Sequence, residues 1–313
     1  PSVCRKGLNM IDILIIGAGT AGLTAAIYAA RAGKSVTVLE CESIGGQISS
    51  SPLVENYPGY QNISGSAFSD ALYEQATALG AKLEFARATS VQDKGDRKIV
   101  TTDSGTTFEC RALIVASGVK HRHLGIDAEA AYAGRGVSYC AICDGAFFRN
   151  KITAVVGGGN AALQSAIYLS DICEKVYLIH RRTGFRAEQA VVEKMQSIGN
   201  IEQLLNKTVA DLSGEPTLST VTLRDTVTGE TSEITVNGLF VSIGQVPEND
   251  VYRDLIKLDE SGFIVADESC LTSCPGVFAA GDCRTKKIRQ LTTAAADGSV
   301  AALAACDYVN QFA

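Results

Sequence analysis

Cys140-Ala141-Ile142-Cys143-Asp144 has the plainest capacity for chemistry in this chain. Two cysteines three positions apart can close a small disulfide ring, and the spacing lets one of them be stabilised as a thiolate. Asp144, next in line, offers a proton carrier for a departing thiolate, provided burial raises its pKa. Two other readings stay open at this point: half of a zinc site, or a pair of inert core cysteines. Zinc would need two more ligands, and Cys270 with Cys274 is the only other close pair. We read Cys270, Cys274 and Cys283 as structural or incidental, and expect no metal.

Two glycine signatures accompany the pair. Gly17-x-Gly19-x-x-Gly22 lies between an apolar run and an Ala-rich run, and Glu40 stands 18 residues after the third glycine. Glycine is needed where backbone N–H groups approach a pyrophosphate and where helix and strand pack closely. The helix N-terminus, at Thr20 and Ala21, adds partial positive charge. Glu40 can accept hydroxyl protons from an adenosine ribose. The alternative is a glycine turn without a ligand.

The layout recurs as Gly157-x-Gly159-x-x-Ala162, with Asn160 and Ala161 between. Here His180 takes the place of the acid, and Arg181, Arg182 and Arg186 crowd beside it. A carboxylate would repel a ribose 2′-phosphate, whereas guanidinium groups bind one through charge-assisted, often bidentate bonds. This site should prefer NADPH to NADH. A solvated basic helix start is the competing reading. Of two dinucleotides serving one disulfide, one should be a flavin, because nicotinamide gives two electrons as hydride and a flavin can relay them. The residues alone do not assign the flavin. The arginines favour NADPH at the second cradle, which leaves FAD for the first.

These groups need strands and helices to hold them. Ile11 to Ile16 reads as a buried parallel strand, Thr20 to Arg31 as a helix, and Val36 to Leu39 as the next strand. Ser66 to Leu79 looks helical with Gly80 as its stop, and short alternating strands fill roughly 82–109. Ala112 to Ala116 is a further strand. The pattern restarts at Ile152 to Val156, followed by a helix at about Asn160 to Leu169 and a strand at Val176 to Ile179. A helix at about Ala187 to Ile198, short β segments over 201–236 and a strand from Leu239 to Gly244 follow. Only about 70 residues remain, too few for a third domain of ordinary size. Gly276 to Asp282 and a long Ala-rich helix from Arg289 to Val309 complete the first sheet most economically.

The fold class is therefore α/β, with two Rossmann-like three-layer dinucleotide-binding domains, one inserted in the other. The FAD-binding domain comprises 1–117 and 246–313, and the NADPH-binding domain with the cysteine pair comprises 118–245. Hinges fall near 117–120 and 244–247. Both the cysteine pair and the nicotinamide must reach one flavin, so the insert is expected to rotate between two states. A cross-link that locks the domains should then stop turnover.

Composition supports a well-cored protein. Of 313 residues, 46% are hydrophobic and 20% charged. The net charge of −6 argues against general nucleic-acid affinity. No apolar run has the length of a membrane span. Ten cysteines, mostly isolated and in apolar company, fit a reducing cytoplasm rather than a secreted disulfide scaffold. Pro1 to Asn9 lacks a secretory h-region and is expected to be an extension or tag.

From about Met10 to Val309 the chain resembles the low-molecular-weight thioredoxin reductases. The resemblance rests on Gly45-Gly46-Gln47, Glu55-Asn56-Tyr57-Pro58-Gly59, Cys140-Ala141-Ile142-Cys143-Asp144-Gly145, His180-Arg181-Arg182-x-x-x-Arg186 and Gly276-x-x-x-Ala280-Gly281-Asp282. It implies that Gly46, Gln47 and Asn56 lie along FAD, that Gly281 and Asp282 meet its ribityl chain, and that Arg289, Gln290 and Leu291 touch it. It places Gly244 with the NADPH set. It implies that Cys143 faces the flavin, that Cys140 attacks the disulfide of thioredoxin, and that Asp144 is the acid–base group. Electrons would run from NADPH through FAD and the Cys140–Cys143 disulfide to thioredoxin. It further implies a homodimer. Leu291 stands where many relatives have Ala, and Gln245-Val246-Pro247 replaces a commoner His-Ser-Pro. No thioredoxin-like domain flanks the matched region, which speaks against an alkyl hydroperoxide reductase flavoprotein. The competing expectations are a reductase of another thioredoxin-like or peroxiredoxin partner and a non-catalytic flavin redox sensor. A reductase fed by ferredoxin would leave the Arg cluster without a purpose.

Overall fold

The computed structural model describes residues 10–51 and 53–312, so the expectation for residues 1–9 lies outside the described residues. The chain divides into two compact units. One runs through Lys120 and resumes at Val246, and the other spans His121–Gln245.

Strand Ile11–Ile16 is the centre of the first unit's sheet. Successive side chains of a strand point to opposite faces. Ile13 and Ile15 therefore enter one core, and Leu14 and Ile16 another. The strand pairs in parallel with Val36–Glu40, Ile13 opposite Val36, and with Thr107–Val115, Ile13 opposite Ala112. Lys82–Phe85 and Val277–Ala279 extend the parallel sheet at its two sides. Val277–Ala279 comes from beyond the second unit, so the last part of the chain does complete the first sheet. Helices Thr20–Arg31 and Leu291–Asn310 cover one face, where Ala25, Ala26, Ala301 and Ala302 are fully buried. Small side chains let these helices approach closely: a Cβ on Gly298 would stand 2.3 Å from the carbonyl oxygen of Ala21.

Thr107–Val115 is one strand of 9 residues, where the sequence suggests two segments. It changes partners halfway. Its first half pairs antiparallel with Lys98–Thr102, and its second half lies in the parallel sheet. The alternating first half and continuously apolar second half are those two environments.

The second unit carries a parallel sheet in the order Ile201–Leu205, Lys175–His180, Ile152–Val156, Gly238–Val241, Val137–Ser138. Helices Asn160–Ser170 and Gln189–Gln196 supply one core with Leu163, Ala166, Leu169 and Met195. The antiparallel strands Lys207–Ser213, Thr220–Asp225 and Thr231–Thr235 supply the other, with Leu212, Val221 and Leu223.

The long C-terminal helix starts at Leu291 rather than Arg289. Gln290 is its N-cap, in a reciprocal capping box with Thr293. Arg289 thus precedes the helix.

Candidate active site

Gly17 follows the first strand with φ 104°, a left-handed value suited to glycine, and its N–H donates to Leu39 O at 2.8 Å. A Cβ on Gly22 would stand 1.8 Å from the Gly17 carbonyl oxygen, so helix and turn touch there. Gly19 is the N-cap and makes no side-chain cap, which leaves backbone N–H groups of Thr20, Ala21 and Gly22 available at the helix start. Glu40 is buried beside them. Its carboxylate accepts from Ala18 N at 2.7 Å, Cys41 N at 2.8 Å and Glu42 N at 2.7 Å.

Other segments of this unit converge on the cradle. Gly45 N–H donates to Ala18 O at 2.8 Å, and Gly46 packs against Gly19. The Gln47 amide donates to Val119 O. Asn56 Nδ2 donates to Gln290 Oε1 at 3.3 Å, joining two segments far apart in sequence. Gly281 packs against Ala21, and Asp282 follows it. Asp282 Oδ1 is buried with no hydrogen-bond partner among the described residues, and burial pushes its pKa up against the pull of Lys286 and Arg289. The Arg289 guanidinium lies 4.2 Å from the Phe263 ring centre and donates to Asp282 O at 3.2 Å. Leu291 opens the helix just after Gln290.

The second cradle repeats this construction. Gly157 N–H donates to Ile179 O at 3.0 Å, and Gly159 caps helix Asn160–Ser170 without a side-chain cap. A Cβ on Gly157 would stand 2.4 Å from Ser242 O. Asn160 is held by Glu188, accepting from its N–H at 2.8 Å, and Ala161 is exposed beside it. His180 is buried, and its ring fills the space over Gly158, where a Cβ would stand 2.1 Å from Cε1. It stacks on Phe185 at 5.2 Å between ring centres, and its Nε2 is 3.1 Å from Gly184 O. Burial lowers its pKa, and Arg181, Arg182 and Arg186 add to that, so the ring is neutral near pH 7. Arg181, Arg182 and Arg186 are exposed. Arg186 is brought to the cradle by its backbone, whose N–H donates to Gly158 O at 2.7 Å. Gly244, with φ 116°, accepts from Arg122 N at 3.0 Å.

The same unit carries the cysteine turn. Cys140 and Cys143 form a disulfide with Cα atoms 5.3 Å apart, across the turn Ala141–Asp144. Ala141 is buried among Ala162, Leu163 and Ala166 of helix Asn160–Ser170. Gly145 fits under the turn because a Cβ would meet Leu169 at 3.0 Å. Cys143 is exposed, while Cys140 and Asp144 are half-buried. Burial raises the Asp144 pKa, and a hydrogen bond from Ser138 opposes the rise. Cys110, Cys173, Cys270, Cys274, Cys283 and Cys306 are free and buried, and Cys41 is free and exposed. The first six pack as small apolar side chains.

Sequence reasoning missed three residues of these sites. Ser138 touches Asp144 and Cys140. Gly158 makes room for His180. Asp297 braces the Gly281–Asp282 turn. Asp297 carried a signal, as an acid inside an Ala-rich helix.

The sequence profile of the family described as pyridine nucleotide-disulphide oxidoreductase matches residues 11–298. A thioredoxin reductase from Treponema pallidum is 42% identical over 300 residues, covering 96% of this chain and 97% of its own. The solved thioredoxin reductase of Streptococcus pyogenes is 38% identical, covers 97% of this chain and 99% of its own, and superposes with a TM-score of 0.93. That of Lactococcus lactis, in its FR conformation, is 37% identical with coverage of 96% and 99%, and a TM-score of 0.67. No helix of the described residues is long and apolar enough to cross a membrane. On this match, which spans nearly the whole chain, the protein belongs to the pyridine nucleotide-disulphide oxidoreductases, among their thioredoxin reductases.

Proposed function

We propose that this chain is a cytoplasmic, homodimeric NADPH-dependent thioredoxin reductase that works through FAD and the Cys140–Cys143 disulfide. The observation that carries the reading is the disulfide built onto the unit whose glycine cradle is flanked by three exposed arginines.

The first cradle fits FAD. Its uncapped helix start suits a pyrophosphate, and the orphaned Asp282 Oδ1 suits a ribityl hydroxyl donor. Gly17, Gly19, Thr20, Ala21, Gly22, Glu40, Gly46, Gln47, Asn56, Gly281, Asp282, Arg289, Gln290 and Leu291 would hold it. The second cradle fits NADPH through Gly157, Gly159, Asn160, Ala161, His180 and Gly244, with Arg181, Arg182 and Arg186 for the 2′-phosphate. When bound, these groups supply an electron pair that reduces the disulfide to two thiols.

The chain's own residues then do sulfur chemistry. The Cys140 thiolate attacks one sulfur of the thioredoxin disulfide, and the other leaves as a thiolate that takes a proton. Cys143 next attacks Cys140 in the mixed disulfide, which restores the ring and frees thioredoxin as a dithiol. Asp144, with its pKa raised by burial, carries protons at this turn.

Cys140→Ser and Cys143→Ser should each abolish thioredoxin reduction while FAD stays bound. Full activity in either variant contradicts the reading.

A further inference from the structure

We propose that Ser138 is a positioning residue for disulfide reduction: its hydroxyl holds the Asp144 carboxyl beside the Cys140–Cys143 turn and orients the backbone that carries Cys140. The inference rests on Asp144 being the acid–base group, and deepens that reading.

Ser138 is the last residue of strand Val137–Ser138 and is buried. Alternation along the chain turns its neighbour Tyr139 the other way. The Tyr139 hydroxyl donates to the buried carboxylate of Glu129 at 2.8 Å, with His123 2.9 Å from the same hydroxyl and His121 stacked on the ring. Those titratable groups are engaged with one another. Ser138 is left facing the cysteine turn. Its Oγ donates to Asp144 Oδ2 at 2.6 Å and accepts from Cys140 N at 3.1 Å.

A hydroxyl has one proton and two lone pairs. With Asp144 ionised, the Ser138 proton goes to the carboxylate. With Asp144 protonated, that hydrogen bond reverses, and the Ser138 proton turns to Cys140 O, 3.4 Å away. The N–H of Cys140 remains satisfied in both states. One serine thus serves both protonation states without moving the cysteine turn, and senses which state is present.

Other groups around Asp144 do not take this role. Its own turn contributes the two cysteines, and the segment Gly145–Phe148 beyond it has no titratable side chain. Helix Asn160–Ser170 beneath brings Tyr168 near Gly145. Burial and the Ser138 hydrogen bond account for the Asp144 shift, with no charged side chain contributing.

The test is the pH profile of kcat for NADPH-driven thioredoxin reduction by the holoenzyme. In the unmodified enzyme kcat should fall as pH rises through the Asp144 pKa, and Asp144→Asn should remove that limb. Ser138→Ala deletes the bond that favours the carboxylate, so its limb should move to higher pH. Its kcat should fall about tenfold, less than the roughly 100-fold or more that a proton-transfer group itself contributes, because Asp144 stays in place and only its positioning is lost, with KM for thioredoxin unchanged. Ser138→Thr should restore the native profile. Should Ser138→Ala not accumulate as folded holoenzyme, Ser138→Val, which has the shape of the threonine variant without its hydroxyl, carries the same test. A limb that disappears in Asp144→Asn yet keeps its native position without the Ser138 hydroxyl overturns the inference alone. A limb that survives in Asp144→Asn overturns the reading of Asp144, and the inference with it.

Discussion

Asp297 Oδ2 accepts the Gly281 N–H at 2.9 Å, so a carboxylate inside the last helix holds the turn that presents Asp282. The same carboxylate takes both arms of Arg284 at 2.8 Å and Lys286 at 2.9 Å. Asp297 and Arg284 are buried, and the bidentate geometry fixes the turn in angle as well as in distance. Asp282 Oδ1, which has no hydrogen-bond partner among the described residues, is thus presented on a backbone tied from below.

Asp297→Ala would leave Arg284 and Lys286 without their shared partner. Breaking a buried pair on one side costs about 3–5 kcal/mol. The variant should melt lower at pH 7 and retain less flavin after gel filtration. Burial acts to raise the Asp297 pKa, but Arg284 and Lys286 outweigh it and the net shift is downward. A depressed folded pKa gives stability that is present above the unfolded value and lost as pH falls through the folded one. The unmodified protein should therefore lose this contribution below about pH 4, and the melting difference from Asp297→Ala should shrink there. An equal difference at pH 7 and pH 3 would contradict the assignment.

The glycines of each fingerprint separate by role. A Cβ on Gly19 meets nothing nearer than 3.8 Å, and one on Gly159 nothing nearer than 4.0 Å. Gly19→Ala and Gly159→Ala should fold with near-native melting in the absence of ligand, yet bind FAD and NADPH respectively at least tenfold more weakly, because a methyl group blocks the backbone approach to phosphate. Gly22→Ala should lose about 3 kcal/mol of stability, since its Cβ would overlap Gly17 O. Calorimetry and ligand titration on the three variants distinguish a ligand cradle from a bare turn. Unweakened binding in Gly19→Ala and Gly159→Ala would favour the bare turn.

Replacing Arg181, Arg182 and Arg186 together by Gln should lower kcat/KM for NADPH by about 100-fold, the scale of two charge-assisted bonds, and leave kcat/KM for NADH unchanged. Steady-state kinetics with both coenzymes measures this. A parallel loss with NADH would mean the arginines shape the cradle rather than read the phosphate.

Much of this architecture is written locally in the chain. Ile11–Ile16 and Ile152–Val156 are mostly apolar runs that lead directly into glycine, and the first helix covers the Ala-rich stretch Thr20–Arg31 that the composition marks. The disulfide was one of three open readings of a spacing, and the folded chain closes it. What stayed hidden depends on distant contacts. The partner change within Thr107–Val115 needs knowledge of both neighbouring strands. The His180 ring reads as a surface ligand in sequence, but it lies buried over Gly158, which only the packing of strand against turn reveals. Ser138 looks like any polar residue at a strand end until the cysteine turn folds over it.

On the proposed function, an electron pair passes from NADPH through a bound flavin to Cys140–Cys143 and on to thioredoxin. Anaerobic titration of the purified holoenzyme with NADPH, followed by visible absorbance, tests it most directly. The account predicts a yellow protein that bleaches with NADPH and regains its colour when oxidised thioredoxin is added. A colourless protein that added FAD cannot reconstitute, or a bleached one that thioredoxin cannot reoxidise, would contradict it.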